Sequence, residues 1–419
     1  MSDTVGSNRM TADEEIAWAR AFISRVVEEA PRRMATSADE RRAQEITREE
    51  MEKCGLVTEF RPFRWNRSLY ANLALHFGLG ALGSLAAVKS PALGLALHGA
   101  ALVSFAADTS RKAFLLRRLF PFAESQNLVG RVPSKEAPRL RIVFLAHADA
   151  AFTGLLFQPE FVKRVASKPG SPLYKSLRIA TLALLGLCAI DGLELATGKS
   201  TALQVARGVL TLPSFLAGAL NLDVVVRNQI VPGAADDLSG VAGLLLLARR
   251  LAGRVPDDVE LVYVATGCEE SGLGGAQALA DQMRGEWSPD NTVIVGMDGL
   301  ANGDLSYYEE GEVFPVPIPE WLRGALEKAA ASDADLASVR GFNIPVGGTD
   351  AVPFAVAGYP AVTIGCVDLK MGIPRHYHVP TDTPENLEAD QIPRSLTMVE
   401  RLVGEIISDR TGQALHLQP

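Results

Sequence analysis

Five short stretches of this sequence carry residue types that bind cations or transfer protons. They are His147-Ala148-Asp149, Asp236-Asp237, Glu269-Glu270, Asp298 and His378. His147 and Asp149 directly follow the apolar run RIVFLA, and because side chains alternate along a strand, both point to the same face. A carboxylate at that spacing can hold the second ring nitrogen of a metal-binding histidine.

The two pairs of adjacent acids suit a cation site as well as a helix terminus. Asp236 and Asp237 lie in the turn GAADDLSG, where they suit a hard or borderline cation, although Asp237 or Ser239 would also serve as an N-cap. Glu269 and Glu270 repel each other, so a concave site tolerates them chiefly if one binds a cation while the other takes a proton. The alternative is a surface pair that complements a helix dipole.

The strands and helices that would position these residues alternate along the chain. Two amphipathic helices are predicted within residues 11–55, the second at about 38–54, followed by a strand at 56–64. Further strands are predicted at 127–130, 141–146, 259–266, 292–297 and 361–364, and helices at 241–252, 272–284, 320–331 and 391–407. This alternation predicts an α/β fold with a mainly parallel, mixed central sheet and helices on both faces. Four of the five stretches follow predicted strands or their turns, where open α/β sheets bind ligands, and His378 lies in a loop.

Taken in order, these stretches resemble a known enzyme family. The segments HAD, GAADDLSG and EESGLGG, the strand-end Asp298 and HVPTD resemble the co-catalytic zinc exopeptidases of the bacterial leucyl aminopeptidase and glutamate carboxypeptidase type, the twenty-eighth metallopeptidase family. A weaker likeness lies in GGTDAVPF, residues 347–354. The resemblance covers the N-terminal helices, residues 127–149 and residues 231 to about 415. It implies a zinc-exopeptidase-like fold and two Zn²⁺ ions per chain.

The resemblance also implies a role for each site residue. Asp236 would bridge the two zinc ions, with a peptide bond to Asp237 that can be cis. His147 and Asp298 would complete one ion, and Glu270 and His378 the other. Asp149 would orient His147, and Glu269 would be the general base that takes a proton from the attacking water.

The expected reaction is the metal-dependent hydrolysis of a peptide or amide bond. An aminopeptidase is the first expectation, and an N-acyl amino acid or lipid-like amidohydrolase with the same mechanism is the alternative. A catalytically silent membrane or scaffold module is the alternative from another class. Related exopeptidases with a dimerisation domain inserted before the last ligand do not fit, because only 80 positions separate Asp298 from His378. The intact pair of His147 and Asp298 favours two metals over a single-zinc, glutaminyl-cyclase-like transferase.

The chain is unusually apolar, with 47% hydrophobic residues, and long runs without charge lie in two segments outside the resemblance. Residues 68–88 and 90–107 form two such runs, whose lengths reach the membrane-spanning range and whose outer flanks are basic. A membrane hairpin with both ends on the cytoplasmic side fits this pattern, and so does a buried or subunit-interface helical hairpin. Two shorter runs, 179–190 and 208–222, are each followed by an acid and are predicted to be core or interfacial helices too short to span.

The domain organisation follows from these segments. We expect one catalytic domain over residues 1–419, with an apolar hairpin insertion at 68–122 and a second apolar helical insertion at 151–230. Because the second begins directly after Asp149, both insertions are expected to form an apolar cap or membrane-facing patch that favours hydrophobic or lipid-like amide substrates.

The net charge limits the possible binding partners, and the cysteine content limits the cellular compartment. The net charge of −8 argues against nucleic acid, and four scattered cysteines fit a reduced compartment. Residues 1–30 lack the apolar core of a secretory signal, so a cytoplasmic location is expected, with attachment to the inner face of the membrane as a further option. The expected partners are a peptide or N-acyl amino acid substrate and, through the apolar insertions, a membrane surface or a second copy of the chain.

Overall fold

Two amphipathic helices begin the chain, as their apolar period predicts. They are α1, Ala12–Glu29, and α2, Ala38–Lys53. Thr11 and Glu14 form a capping box at the start of α1, and Ser37 accepts a hydrogen bond from the backbone at the start of α2. The structure is a computed structural model that describes residues 10–132, 137–166, 176–311, 313–344 and 347–416.

The described strands form one mixed sheet. They are β1, Val57–Asn66; β2, Phe122–Arg131; β3, Leu140–His147; β4, Val259–Thr266; β5, Thr292–Met297; β6, Asp304–Glu309; β7, Gly341–Asn343; and β8, Ala361–Val367. Their order across the sheet is β1-β2-β4-β3-β5-β8-β6-β7. Strands β4, β3, β5 and β8 are parallel, whereas β2 and β6 pair with this central group in the antiparallel sense. The predicted mixed sheet is confirmed, although β6 and β7 were not predicted and β2 begins before residue 127.

Five helices lie in the two apolar segments. They are α3, Leu69–Lys89; α4, Pro91–Thr109; α5, Pro159–Ala166; α6, Ser176–Thr197; and α7, Thr201–Arg227. Among the described residues, α3, α4, α6 and α7 are long and apolar enough to cross a membrane, by length and composition. Helix α3 packs on α4 and α7, and α6 packs on the same two helices. We call α3, α4, α6 and α7 the four-helix unit. Residues 167–175 of the second segment lie outside the described residues.

The predicted extent of α6 and α7 was wrong. Both helices continue through the acids that were expected to end the apolar runs, Asp191 and Asp223, and reach 22 and 27 residues. Asp191 is fully buried, where its carboxylate accepts hydrogen bonds from Arg207 at 2.8 Å and faces His98 Nδ1 at 2.7 Å. Asp223 pairs with Arg227 one turn later. Because both carboxylates have partners, neither of them ends a helix.

The remaining helices cover both faces of the sheet, as predicted. They are α8, Leu238–Leu251; α9, Gly274–Met283; α10, Glu320–Ala331; α11, Ala351–Val356; and α12, Gln391–Thr411. Alternate residues of β3 point to opposite sides: Ile142 and Phe144 pack in the core with α1, α8 and α12, whereas Val143 and Leu145 pack with α9 and α11. The carboxyl ends of β3, β4 and β5 therefore meet at one edge between these layers.

Candidate metal centre and its cleft

His147 ends β3 in the middle of the sheet, and Asp149 follows two residues later. The His147 Nδ1 lies 3.1 Å from the carbonyl oxygen of Asp149 and 3.6 Å from its carboxylate. That carboxylate instead accepts hydrogen bonds from the backbone N–H of Glu269, at 3.0 Å, and of Glu270, at 3.1 Å. Asp149 thus ties the histidine to the acidic turn after β4, a wider role than sequence spacing predicts.

Asp236 and Asp237 differ in their surroundings, and the peptide bond between them is cis. The Asp237 carboxylate accepts hydrogen bonds from the backbone N–H of His147, Gly240 and Gly299, at 2.9 to 3.0 Å. It therefore caps α8 and joins three segments, in line with the N-cap alternative. Asp236 instead turns its carboxylate toward two histidines.

The Asp236 carboxylate lies between His147 and His378. Its Oδ1 is 3.1 Å from His147 Nε2, and its Oδ2 is 3.2 Å from His378 Nε2. His378 Nε2 is also 3.3 Å from Glu270 Oε1. The Asp236 Oδ2 atom is buried without an aligned hydrogen bond in the described residues. Four predicted metal ligands, His147, Asp236, Glu270 and His378, are thus linked by contacts of 3.1 to 3.3 Å.

Asp298 and Glu269 complete the cluster. A carboxylate oxygen of Asp298 lies within 4.8 Å of ligand atoms of His147 and Asp237. The Glu269 Oε2 atom is 3.9 Å from His147 Nε2. All seven site residues predicted from the sequence therefore converge, although Asp237 and not Asp236 is the acid grouped with Asp298 by distance. Because Asp237 already accepts three backbone hydrogen bonds, we regard it as a structural residue.

Burial and mutual repulsion perturb these groups. Burial, and then the charge of Glu270, raise the pKa of Glu269 well above its ordinary value. Burial and the charge of Asp236 raise the pKa of Asp298 to about 8. Burial alone lowers the pKa of His378, but the charges of Glu270 and Asp236 outweigh it and raise that pKa to about 10. A bound cation offsets such repulsion and keeps the carboxylates ionised.

The donor set fits zinc by chemistry and by spacing. Two ligands at about 2.0–2.1 Å from a tetrahedral zinc ion are roughly 3.3 Å apart. The donor pairs His147–Asp236, His378–Asp236 and His378–Glu270 are 3.1, 3.2 and 3.3 Å apart. Imidazole nitrogens and carboxylate oxygens are also the ligands expected in a catalytic zinc site.

Several residues of the site carry no local sequence signal. The Tyr70 hydroxyl, in α3, is 3.3 Å from His378 Nδ1, although the two residues are 308 positions apart. The rings of Phe157 and Tyr377 lie 4.5 and 3.8 Å from the His378 ring. Asp382 could have been found, because it ends the quoted segment HVPTD: its carboxylate accepts hydrogen bonds from the backbone N–H of Ala235 and Asp236.

The cluster lines a cleft of about 1110 Å³. His147, Asp236, Glu269, Glu270, Asp298 and His378 all contribute to its wall. Apolar side chains from every helix of the four-helix unit line the same cleft. The site thus joins the sheet edge to the apolar segments, which is the juxtaposition expected from the position of the second segment after Asp149.

Comparisons with known proteins give a related family and a related fold. The sequence profile of Peptidase family M28 matches residues 222–403. The chain is 27% identical over 168 residues to the "Alkaline phosphatase isozyme conversion protein" of Escherichia coli, a match that covers 39% of this chain and 48% of that protein. It is 25% identical over 178 residues to "Aminopeptidase YwaD" of Bacillus subtilis, covering 42% and 38%. The chain therefore spans less than half the length of these curated relatives.

Solved structures share the fold at low sequence identity. An aminopeptidase from Aneurinibacillus sp. strain AM-1 superposes with a TM-score of 0.55 and 14% identity, covering 99% of this chain and 97% of that one. A glutaminyl cyclase from an Acidobacteriales bacterium gives 0.54 and 15%, covering 98% and 99%. Both likenesses confirm the predicted zinc-exopeptidase-like fold class.

Proposed function

We propose, from the match of residues 222–403 to the profile of Peptidase family M28, that the protein is a zinc-dependent hydrolase of peptide or amide bonds. The observation that carries the proposal is the convergence of two histidines and two carboxylates at spacings of 3.1 to 3.3 Å, with the Asp298 carboxylate within 4.8 Å of His147. Because the chain matches less than half of its curated relatives, the substrate has to be argued from its own cleft.

The proposal extends to two ions. His147 and Asp298 would hold one ion, Glu270 and His378 would hold the other, and Asp236 would contribute to both. Bound zinc would supply two effects: it would lower the pKa of a water molecule and polarise the carbonyl group of the substrate.

Glu269 is the general base of the proposed reaction. The hydrogen bond from its backbone N–H to Asp149 fixes the start of its side chain, and its carboxylate lines the cleft next to His147. Its buried position favours proton uptake, so it can accept a proton from the attacking water and return it to the leaving amine. The Tyr70 hydroxyl and the stacked ring of Tyr377 hold the His378 ring in place.

Zinc content and hydrolysis test the proposal together. We expect purified full-length protein to contain zinc, to lose hydrolysis of aminoacyl or N-acyl amides when a chelator removes the metal, and to regain it with added Zn²⁺. Protein that binds no zinc and cleaves no amide in such a screen would overturn the proposal and favour a silent scaffold.

We further propose that the four-helix unit lies in a membrane. Leu85, Val209, Phe215 and Val226 are among many large apolar side chains exposed on its outer surface. A patch of this kind is rare on a soluble monomer and typical of a lipid-facing surface.

Charges at the two ends of the unit indicate its orientation. Arg67, Lys112 and Arg227 are exposed where the helices meet the catalytic part, and Lys89 and Lys199 are exposed at the opposite tip. The Lys199 ammonium donates to the carbonyl groups of Val88 and Lys89, so the two helical hairpins end together. From the excess of basic residues on the catalytic side, we propose that this side faces the cytoplasm.

Labelling with a membrane-impermeant maleimide tests this orientation. In vesicles whose catalytic face is outside, Asp409→Cys should react at once, whereas Lys199→Cys should react only after the membrane is permeabilised. Extraction of the protein by carbonate without detergent, or equal labelling of both positions, would overturn the membrane proposal.

A further inference from the structure

The cleft next to the metal centre extends along the four-helix unit. On α7 its wall is formed by Leu212, Leu216 and Leu220, which are spaced four residues apart and therefore lie on one stripe of the helix. Leu73 of α3, Phe105 of α4 and Leu177 of α6 face the same space. Apolar side chains thus predominate in the wall away from the metal centre, where Ser176 and Asn221 also contribute.

This apolar wall reaches far from the catalytic part. Leu212 precedes Arg227, the last residue of α7, by 15 positions. At about 1.5 Å of rise per residue, Leu212 lies roughly 22 Å from that end of the helix, and the stripe from Leu212 to Leu220 is roughly 12 Å long. A cleft of this length suits an extended hydrocarbon chain better than a single amino-acid side chain.

The cleft is also open to the side. Leu212 and Leu216 line it, yet they are 63% and 55% exposed and belong to the apolar outer surface of α7. Ile179 of α6 also lines it and is 41% exposed. An accessible apolar surface of α6 and α7 thus continues into the cleft.

A cationic side chain lies in the polar part of the same cleft. The Arg111 guanidinium lines it and donates a hydrogen bond to the carbonyl oxygen of Gly272 at 2.8 Å. Among the described residues it forms no ion pair with a carboxylate, unlike Arg117, which is paired with Asp108. Burial and the charge of Arg117 lower the pKa of Arg111 to about 10, so it stays positively charged at neutral pH.

The cleft therefore combines three features in one space. They are a long apolar groove open to the side, a metal-ligand cluster, and an arginine without a carboxylate partner close to that cluster. Arg111 donates its hydrogen bond to Gly272, three residues after Glu269, so the arginine lies next to the turn that carries the proposed base. A free α-ammonium group would be repelled by Arg111, whereas a carboxylate would be attracted.

We propose that the substrate is an N-acyl amino acid with a long acyl chain that enters from the membrane. This inference rests on the proposed hydrolase function and names its substrate class. The acyl chain lies in the groove along α7, the amide lies at the metal centre, and the carboxylate of the amino acid binds Arg111.

The reaction is a hydrolysis that balances without another reactant. The oxygen of water forms a bond to the amide carbonyl carbon, and the bond between this carbon and the nitrogen breaks. Glu269 carries the proton from water to the nitrogen. The products are a fatty acid, which can return to the membrane, and a free amino acid.

Chain length and charge of the substrate test the proposal on the full-length zinc-loaded protein in detergent micelles. We expect kcat/KM for N-dodecanoylglycine to exceed that for N-acetylglycine by about 100-fold or more, since each buried methylene contributes about 0.8 kcal/mol. N-dodecanoylglycinamide, which lacks the carboxylate, should be cleaved at least tenfold less efficiently. Equal rates for dodecanoyl and acetyl substrates, or a preference for leucine amide with its free amine, would overturn the proposal.

Matched variants test each part of the cleft. Leu216→Trp should narrow the groove and lower kcat/KM for the dodecanoyl substrate about tenfold or more, while Leu222→Trp, on the same helix at similar exposure (53% against 55%) but outside the cleft, should not. Arg111→Gln should raise KM for N-dodecanoylglycine but not for its amide, whereas the exposed Arg118→Gln should change neither. Equal effects of the two tryptophan variants would contradict the assignment of the groove, and equal effects of the two glutamine variants would contradict the assignment of Arg111.

A binding measurement separates this inference from the proposed hydrolysis. The ketone analogue 4-oxopentadecanoic acid carries the chain and the carboxylate but has a methylene in place of the amide N–H and no ammonium group, so its affinity can be measured on the zinc-free protein. We expect binding that Arg111→Gln and Leu216→Trp weaken about tenfold. Arg111-dependent binding by a protein that cleaves no amide would support the cleft assignment and reject the hydrolase. Zinc-dependent cleavage without such binding would support the hydrolase and reject the cleft assignment.

Discussion

Glu269 and Glu270 are neighbours in the chain, but their carboxylates meet different groups. Glu270 faces His378 at 3.3 Å, as a metal ligand would, while Glu269 lies 3.9 Å from His147. We predict that Glu269→Gln retains zinc and loses about 10²- to 10⁴-fold in kcat, the usual range for a general base. The adjacent Glu270→Gln is the matched control and should lose zinc. Metal analysis and kcat of both variants check this, and wild-type turnover of Glu269→Gln would exclude Glu269 as the base.

Asp149 is a second single residue on which the geometry of the site depends. Its carboxylate accepts hydrogen bonds from the backbone of both glutamates, and its carbonyl oxygen faces the Nδ1 of His147. Asp149→Asn replaces one accepting oxygen by a donor. The turn that carries Glu269 and Glu270 then loses one of its two hydrogen bonds to this side chain and must shift. We predict a 10- to 100-fold loss of zinc affinity, which is typical when a group that orients ligands is changed. Competition with a chelator measures it, and an affinity equal to wild type would contradict the prediction.

The elements of the catalytic part could be predicted because each has a local cause. Strand alternation, helical periodicity and turn residues located β3, β4, β5, α8 and α12 close to their observed bounds. The strands β6 and β7 were missed, because β6, DLSYYE, lacks the continuous apolar run that marks the equally long β5, TVIVGM, and β7 has only three residues. The lengths of α6 and α7 were wrong, because a buried acid with a distant partner looks, in sequence, like the end of an apolar run.

The buried contacts of Asp191 can be tested at the level of secondary-structure elements. Asp191 of α6 contacts His98 of α4 and Arg207 of α7, so it joins three helices of the unit. Asp191→Ala leaves Arg207 with fewer anionic partners in a buried place, and we predict a loss of roughly 3–5 kcal/mol in the stability of the unit. Thermal unfolding in detergent measures this. Leu193→Ala, on the exposed face of α6, is the control and should change little.

At the scale of the whole molecule, Arg117 connects the four-helix unit to the metal centre. It pairs with Asp108 of α4 through two hydrogen bonds of 2.9 Å and donates a third to the carbonyl oxygen of Ser271, the residue after Glu270. We predict that Arg117→Gln lowers the unfolding midpoint and also lowers kcat, since the turn that carries both glutamates loses its support. Arg118→Gln should do neither. A variant with lower stability but unchanged kcat would show that the unit does not position the site.

The sequence by itself determined the α/β class and the seven residues that converge at the site. It could do so because parallel strands bring their carboxyl ends to one edge, so chemistry at the ends of separate strands must meet. Only the tertiary structure decided what surrounds them. Tyr70 contacts His378 across 308 positions, and Asp191 meets His98 across 93. The union of an apolar groove with Arg111 also arises only when α3, α4, α6 and α7 pack above the sheet edge, because contacts between distant segments leave no periodic trace in the chain.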